Sequence, residues 1–194
     1  MSIIEVGQAS RTNGWLGGEN QNQGGKQRET RWLTPRHLTD PLGHFDLDPA
    51  GAPGHSIATR TLLLENGDDG LIDEWSGRIW LNPPYGKQLE PFMSRLADHG
   101  NGIALVFART ETSWFQEFVW GRATSVMFLK GRVTFLDANR VKAPANAGAP
   151  SCLVAYGENN YQAIEDSGLP GCHVHLRYGL PNLAPFVAAE ERRA

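Results

Sequence analysis

The tetrapeptide Asn82-Pro83-Pro84-Tyr85 constrains this chain more than any other feature, because it ends the apolar run Ile79-Trp80-Leu81 on two consecutive prolines. Proline has no amide to give to a sheet ladder, so a strand over 77–81 must stop there. A buried strand that stops this abruptly puts the tetrapeptide at the carboxyl end of a sheet, the edge where open α/β sheets take ligands. The prolines hold the backbone extended and rigid, and they leave carbonyls exposed as acceptors. Asn82 adds a side-chain acceptor, and Tyr85 adds a planar face.

An exocyclic amine on an aromatic ring matches that set. It offers two hydrogens to two acceptors and a flat ring to the tyrosine. With Asn82 Oδ1 and the Pro83 carbonyl as the acceptors, the nitrogen lone pair is drawn out of ring conjugation. It is then placed to attack a methyl sulfonium in line, with Tyr85 stacked on a flipped base.

The rest of the chain reads as strands alternating with helices. Strands are expected over 44–48, 77–81, 102–107, 125–129 and 151–156. The run Gly102-Ile103-Ala104-Leu105-Val106-Phe107 is apolar at nearly every position, the pattern of a parallel strand covered on both faces. Leu89, Phe92, Met93 and Leu96 have helical spacing, which predicts a helix over 87–99. Thr34-Pro35 reads as a helix cap followed by proline in the first turn. Ser113 reads as the cap of a helix reaching Trp120, and 132–136 as a hairpin arm. This alternation predicts an α/β sandwich with a mostly parallel central sheet. Residues 1–31 form a polar, Gly-rich arm, 32–160 the catalytic domain, and 161–194 an extension packed on the same domain.

Charge is distributed unevenly. Residues 37–75 hold eight acids against Arg60, whereas 109–142 hold six bases against three acids, and 10–36 five bases against two acids. The net charge of −3 excludes a wholesale basic coat but leaves room for a local basic groove. A phosphate backbone suits the basic segments and a cationic cofactor the acidic one. The two cysteines, Cys152 and Cys172, are too few for a disulfide scaffold and read as reduced thiols. With no apolar stretch of eighteen residues and no secretory leader, the expected location is the cytoplasm. Cys152, Cys172, His173 and His175 lack the spacing of a zinc finger, so no metal is expected. Ser113 and the six histidines form no recognisable hydrolase triad.

An ordered set of segments resembles the phage-type DNA N-6-adenine methyltransferase (Dam) family. It runs Trp32-Leu33-Thr34-Pro35, Phe45-Asp46-Leu47-Asp48-Pro49-Ala50, Asp69-Gly70-Leu71, and Trp75 through Gly86 with the tetrapeptide inside. It continues with Ala108 through Phe115 and Phe128 through Phe135. The resemblance covers roughly residues 32–156. It implies a shortened Rossmann-like methyltransferase fold, S-adenosylmethionine as cofactor, and methyl transfer to adenine N6 in double-stranded DNA inside a bacterial host, on a phage or prophage gene. It assigns the chemistry to Asn82, Pro83, Pro84 and Tyr85. The cofactor side falls to Asp48, Pro49 and Ala50, with Trp32, Thr34 and Pro35 as a lip and Asp69 or its neighbour Asp68 on the ribose. Trp32 stands there as a stacking partner for adenine or, equally, as a core tryptophan. Arg109, Ser113 and Trp114 would line the mouth with Glu111, and Lys130 and Arg132 would contact phosphates.

The chain departs from the usual methyltransferase pattern in two places. The loop Asp48-Pro49-Ala50-Gly51-Ala52-Pro53-Gly54 lacks the usual glycine spacing. In addition, only 34 positions separate Asp48 from Asn82, too few for two strand–helix units. The same tetrapeptide would also serve cytosine N4, an RNA base or a protein glutamine amide. A methyltransferase-like module that binds without turnover remains the rival from another class.

Overall fold

A computed structural model describes residues 33–136, 141 and 147–176. The expected arm 1–31, Trp32 and residues 177–194 lie outside the described residues. Seven strands form one sheet: β1 (Leu47–Asp48), β2 (Arg60–Thr61), β3 (Ile79–Leu81), β4 (Gly102–Phe107), β5 (Ser125–Leu129), β6 (Ser151–Tyr156) and β7 (Gly171–His175). Their spatial order is β2-β1-β3-β4-β6-β5-β7. The pairs β1·β2, β1·β3 and β3·β4 are parallel. The pairs β4·β6, β5·β6 and β5·β7 are antiparallel. The α/β class stands, with a sheet that is mixed: β6 and β7 run against the other five. The reason is local, since β5 and β6 are joined without a crossover helix among the described residues, which leaves β6 free to return antiparallel.

Side chains alternate across this sheet and bury both faces. Ile79, Leu81, Ala104, Val106, Cys152 and Val154 enter one apolar cluster. Trp80, Ile103, Leu105, Leu153 and Ala155 enter the other. This double burial is why 102–107 and 151–156 read as unbroken apolar runs. Helix α2 (Leu89–His99) covers the first face through Leu89, Phe92, Met93 and Leu96. Gly100 ends it in the left-handed region, at φ 72°, with its amide on the Leu96 carbonyl. A helical turn follows Ser113 and widens into a π-helix over Phe115–Trp120 on the same face. Helices α1 (Arg36–Thr39) and α3 (Glu158–Asp166) border the second cluster, which Leu38 and Ile164 enter.

Several local expectations are corrected. Helix α1 has Pro35 at its N-cap and no side-chain cap, and the buried Thr34 hydroxyl has no hydrogen-bond partner. Ser113 does not cap its helix. Residues 132–136 form no hairpin arm; Leu136 only bridges to Leu33. The strands expected at 44–48 and 77–81 shrink to their last two and three residues. Beyond Gly157 the chain is ordered and regular as far as Leu176. Asn160, fully buried in α3, accepts from Arg78 Nε at 2.6 Å and donates to Asn101 Oδ1 and the Tyr156 carbonyl. His173 of β7 bonds to Glu165 at 2.7 Å and to the buried Ser125 hydroxyl at 2.9 Å, which ties edge strand and helix to the sheet.

The expected shortening is present. The connections 49–59 and 62–78 contain no α-helix, only a 3-10 turn at Leu64–Asn66. From β1 the sheet extends one way to β2, while from β3 it extends the other way to β4. The carboxyl ends of β1 and β3 therefore part at a topological switch point, with Asp48 on one side and Leu81-Asn82 on the other.

Candidate active site

A cleft partly open to solvent occupies this switch point. Asn82, Pro83, Pro84 and Tyr85 form one wall, with Gln88, the N-cap of α2, and Phe92 of α2 behind them. Pro49, Ala50 and Gly51 form the second wall, and Glu65, Asp68, Asp69 and Leu71 the third. Among the described residues, three acids and no Lys, Arg or His line it. The field inside therefore favours a ligand with cationic groups or hydroxyl donors.

The walls fit closely against one another. A Cβ on Gly70 would fall 1.9 Å from the Pro49 carbonyl oxygen, and one on Gly51 would fall 2.1 Å from Thr61 Cγ2. Only glycine permits these approaches. The Asp69 wall is shaped by its own carboxylates. Asp69 Oδ1 accepts from the Leu71 amide and Asp73 Oδ2 accepts from the Asp69 amide, both at 2.8 Å. Asp68 Oδ2 accepts from the Leu63 amide at 2.9 Å. A post outside the cleft carries that wall. Trp75 Nε1 donates to the Gly70 carbonyl at 2.9 Å, Arg95 of α2 donates to the Gly70 and Asp73 carbonyls, and the Arg95 guanidinium stacks over the Trp75 ring. Helix α2, which starts four residues after Tyr85, thus holds both the tetrapeptide wall and the Asp69 wall.

Asp48 sits differently from the sequence expectation. Its side of β1 is buried, the residue is 4% exposed, and its carboxylate does not line the cleft. Oδ1 accepts from the Ala50 amide at 3.1 Å, so the carboxylate braces the Pro49–Gly51 turn from beneath. Burial pushes its pKa up to about 7, and the single amide bond opposes that shift only in part. Asp46, two positions earlier, is exposed, and its Oδ2 accepts from the Arg78 amide at 2.6 Å.

Tyr85 is half-buried and stacks on Phe107, ring centroids 4.4 Å apart at 21°. Its hydroxyl is buried without a partner, and burial raises its pKa. One ring face is thus braced by the end of β4, while the residue lines the cleft.

Of the residues singled out by sequence, the cleft gathers Asn82, Pro83, Pro84, Tyr85, Pro49, Ala50 and Asp69, with Asp48 directly under it. Arg109, Ser113 and Trp114 follow β4 outside the cleft: Arg109 is half-buried, Ser113 exposed, and Trp114 packs edge-on to Phe115 at 5.3 Å. Thr34 and Pro35 are not brought to this cleft. Pro35 lines a different groove together with Lys130 and Arg132. Phe92, Gln88, Gly70, Trp75 and Arg95 were not singled out. Phe92 reads only as a core position of an amphipathic helix, and Arg95 pairs across the fold with a loop more than twenty residues away. Gly70 and Trp75 were visible only as members of the family pattern.

An open α/β sheet, a cleft at its switch point and an amine-accepting tetrapeptide on the cleft wall define a Rossmann-like enzyme that acts on an amino group. A family model described as DNA N-6-adenine-methyltransferase (Dam) matches residues 21–166. The chain belongs to that family, and its main reaction is S-adenosylmethionine-dependent methylation of adenine N6 in DNA. No curated protein matches it. The donor set of the cleft fits this cofactor: carboxylates for its ammonium and ribose hydroxyls, the Leu62, Leu71 and Phe92 side chains for its adenine, and no competing base among the described lining residues.

Proposed function

We propose that the enzyme acts on duplex DNA, with the target adenine flipped into the mouth of the cleft between the tetrapeptide and the cofactor. The bound cofactor supplies an electrophilic methyl group on a sulfonium. All other work falls to the chain. Asn82 Oδ1 and the Pro83 carbonyl accept the two N6 hydrogens and turn the nitrogen lone pair out of the ring plane. Tyr85, with Phe107 behind it, offers its ring to the base and fixes its plane. Glu65, Asp68 and Asp69 take the polar groups of the cofactor, and Asp48 holds the Pro49–Gly51 turn against which it rests. Arg109, Ser113 and Trp114, at the end of β4 beside the tetrapeptide, receive the DNA strand next to the flipped base. The reaction belongs to the cytoplasm of a bacterial host, where duplex DNA and cofactor meet, with the enzyme encoded by a phage or prophage.

The observation that carries the reading is the meeting, at one switch point, of Asn82-Pro83-Pro84-Tyr85 with a cleft whose charged lining among the described residues is acidic. The test is transfer of labelled methyl from S-adenosylmethionine to unmethylated duplex DNA, followed by separation of nucleosides. Label should appear in N6-methyladenine and disappear with Asn82→Ala. 2-Aminopurine at the target position should brighten on binding as it leaves the stack. Label in N4-methylcytosine, or transfer without brightening, would overturn the assignment of base or of flipping.

A further inference from the structure

A second groove opens on the same edge of the sheet, beyond β5, and its chemistry is the reverse of the cleft's. Pro35, His37 and Leu38 at the start of α1 form one side; Leu129, Lys130, Gly131, Arg132 and Val133 after β5 form the other; Leu169 and Pro170 before β7 close it. Among the described residues that line it, Lys130 and Arg132 are cations and none is an acid. Both are exposed. Arg132 Nη1 donates to the Ala147 carbonyl at 3.3 Å, which ties the guanidinium to this side of the groove. The floor is apolar, from Leu38, Leu129, Val133 and Leu136. Cations above an apolar floor suit a sugar–phosphate strand, with deoxyribose on the floor and phosphate oxygens on Lys130 and Arg132.

We infer that this groove holds the DNA backbone on one flank of the flipped adenine, about four base pairs away, and so fixes the register of the duplex over the active site. The inference rests on the proposed reading of the cleft as the site of adenine methylation in duplex DNA. The distance follows from the strand order when the duplex axis is laid along the edge of the sheet, as the inference requires. The tetrapeptide ends β3 and the groove ends β5, three strand spacings apart in the order β3-β4-β6-β5. Three spacings of about 4.8 Å make roughly 14 Å, and a duplex rises about 3.4 Å per base pair. The contact is one-sided, because β5 lies on one side of β3 only, while the other side holds the acidic cleft. The field along the edge therefore steers the backbone toward the groove and away from the cofactor.

The experiment compares the full-length enzyme with its Lys130→Ala/Arg132→Ala variant, using a duplex with long flanks and the same duplex cut to two base pairs on each flank in turn. Both substitutions are on exposed side chains, and unchanged cofactor affinity shows that the variant is folded. On the long duplex the variant should bind DNA more weakly, and the slope of log K against log salt should shrink by about 1.8, the value for two phosphate contacts at 0.9 each. Cutting one flank should abolish the difference between the two proteins, while cutting the other should not. A variant with the wild-type slope on the long duplex overturns the inference and leaves the reading of the cleft intact. So does a difference that survives both truncations. A wild-type protein that transfers no methyl group to DNA defeats that reading itself, and the groove's assignment falls with it.

Discussion

The acidic cleft and the basic groove sit on one edge of one sheet, yet they are built on different principles. The cleft lies where strands are shortest: β1 and β2 have two residues each and β3 has three. Its walls are loops, held by carboxylate-to-amide bonds, two glycine approaches and the Trp75–Arg95 post. The groove lies on the long-stranded half, where β4 and β6 pair over six residues and β5 and β7 over five. Its cations stand on a short turn beside that rigid platform. The difference teaches where shape matters. A small cofactor demands a moulded pocket, whereas a phosphate chain demands only fixed charges at the right spacing. Between them stands the tetrapeptide, attached to the cofactor side through α2 and to the rigid side through the Tyr85–Phe107 stack.

The sharpest way to break this comparison is to remove the element the two halves share. Asn82→Ala deletes one of the two acceptors proposed for the reacting amine and leaves the acids and the bases in place. We expect kcat to fall by about 10²–10³-fold, the scale for losing one oriented hydrogen-bonding group at a reacting centre. Dissociation constants for cofactor and for DNA should stay within a few-fold of wild type, measured by calorimetry and by anisotropy. A variant that loses binding of either ligand in proportion to rate would place Asn82 in ligand capture, not in the chemistry.

A second expectation concerns Asp48 and is read by pH. Its pKa is near 7 in the folded chain against an ordinary value of 3.8, so the folded state binds the proton more tightly than the unfolded state. The contribution of this residue to stability is thus fully present below about pH 4. It is lost as the pH rises toward 7, by up to roughly 1.4 kcal/mol per unit. Asp48→Asn removes that slope. Without cofactor, the variant should gain on wild type as the pH is raised from 5 to 8, followed by thermal melting. Because the carboxylate lies under the turn and not in the cleft, the variant should lose less than about tenfold in cofactor affinity; loss of a direct bond to a charged group costs more. A larger loss would make Asp48 a ligand.

The post outside the cleft gives a smaller effect. Arg95→Met keeps the apolar stem over Trp75 but removes the donors to the Gly70 and Asp73 carbonyls. KM for the cofactor should rise about tenfold, as expected for one or two lost bonds. KM for DNA should hold, and Arg95→Lys should recover part of the loss. An equal rise in both Michaelis constants would mean that α2 has shifted as a whole.

The same division governs how much was legible in the sequence. Runs packed on both faces announced themselves: 102–107, 125–129 and 151–156 were read to the residue, because unbroken apolarity and β-branching leave little else. The tetrapeptide was legible because two prolines after a strand admit so few geometries. The cofactor walls were less so. Phe92 and Leu71 look like core residues in a sequence, and the contact of Gly70 with Pro49 is made across twenty-one positions. Thr34-Pro35 shows the converse. It belongs to the family pattern in sequence, but the chain carries it away from the cleft to the β5 side of the sheet, through the Leu33–Leu136 bridge. The tail was obscure because its anchors are polar: Asn160, His173 and Glu165 give no apolar period.

The stack of Tyr85 on Phe107 is the finest point at which the two halves can be separated, and its effect should be the smallest. Phe107 ends β4, opposite Ser151 in the register of the long-stranded half, and touches the cleft only through Tyr85. Phe107→Leu preserves apolar volume and removes the ring. Aromatic pairing contributes about 0.5–1.5 kcal/mol beyond burial, so the base platform should loosen by a factor of roughly 2–12. That loss should appear in KM for DNA and in the brightness of a flipped 2-aminopurine, with cofactor affinity unchanged. Phe107→Tyr, which keeps the ring, should restore both. If cofactor affinity falls as well, the rigid half would be supporting the whole cleft and not just the base, and the division between moulded pocket and fixed platform would have to be redrawn at Phe107.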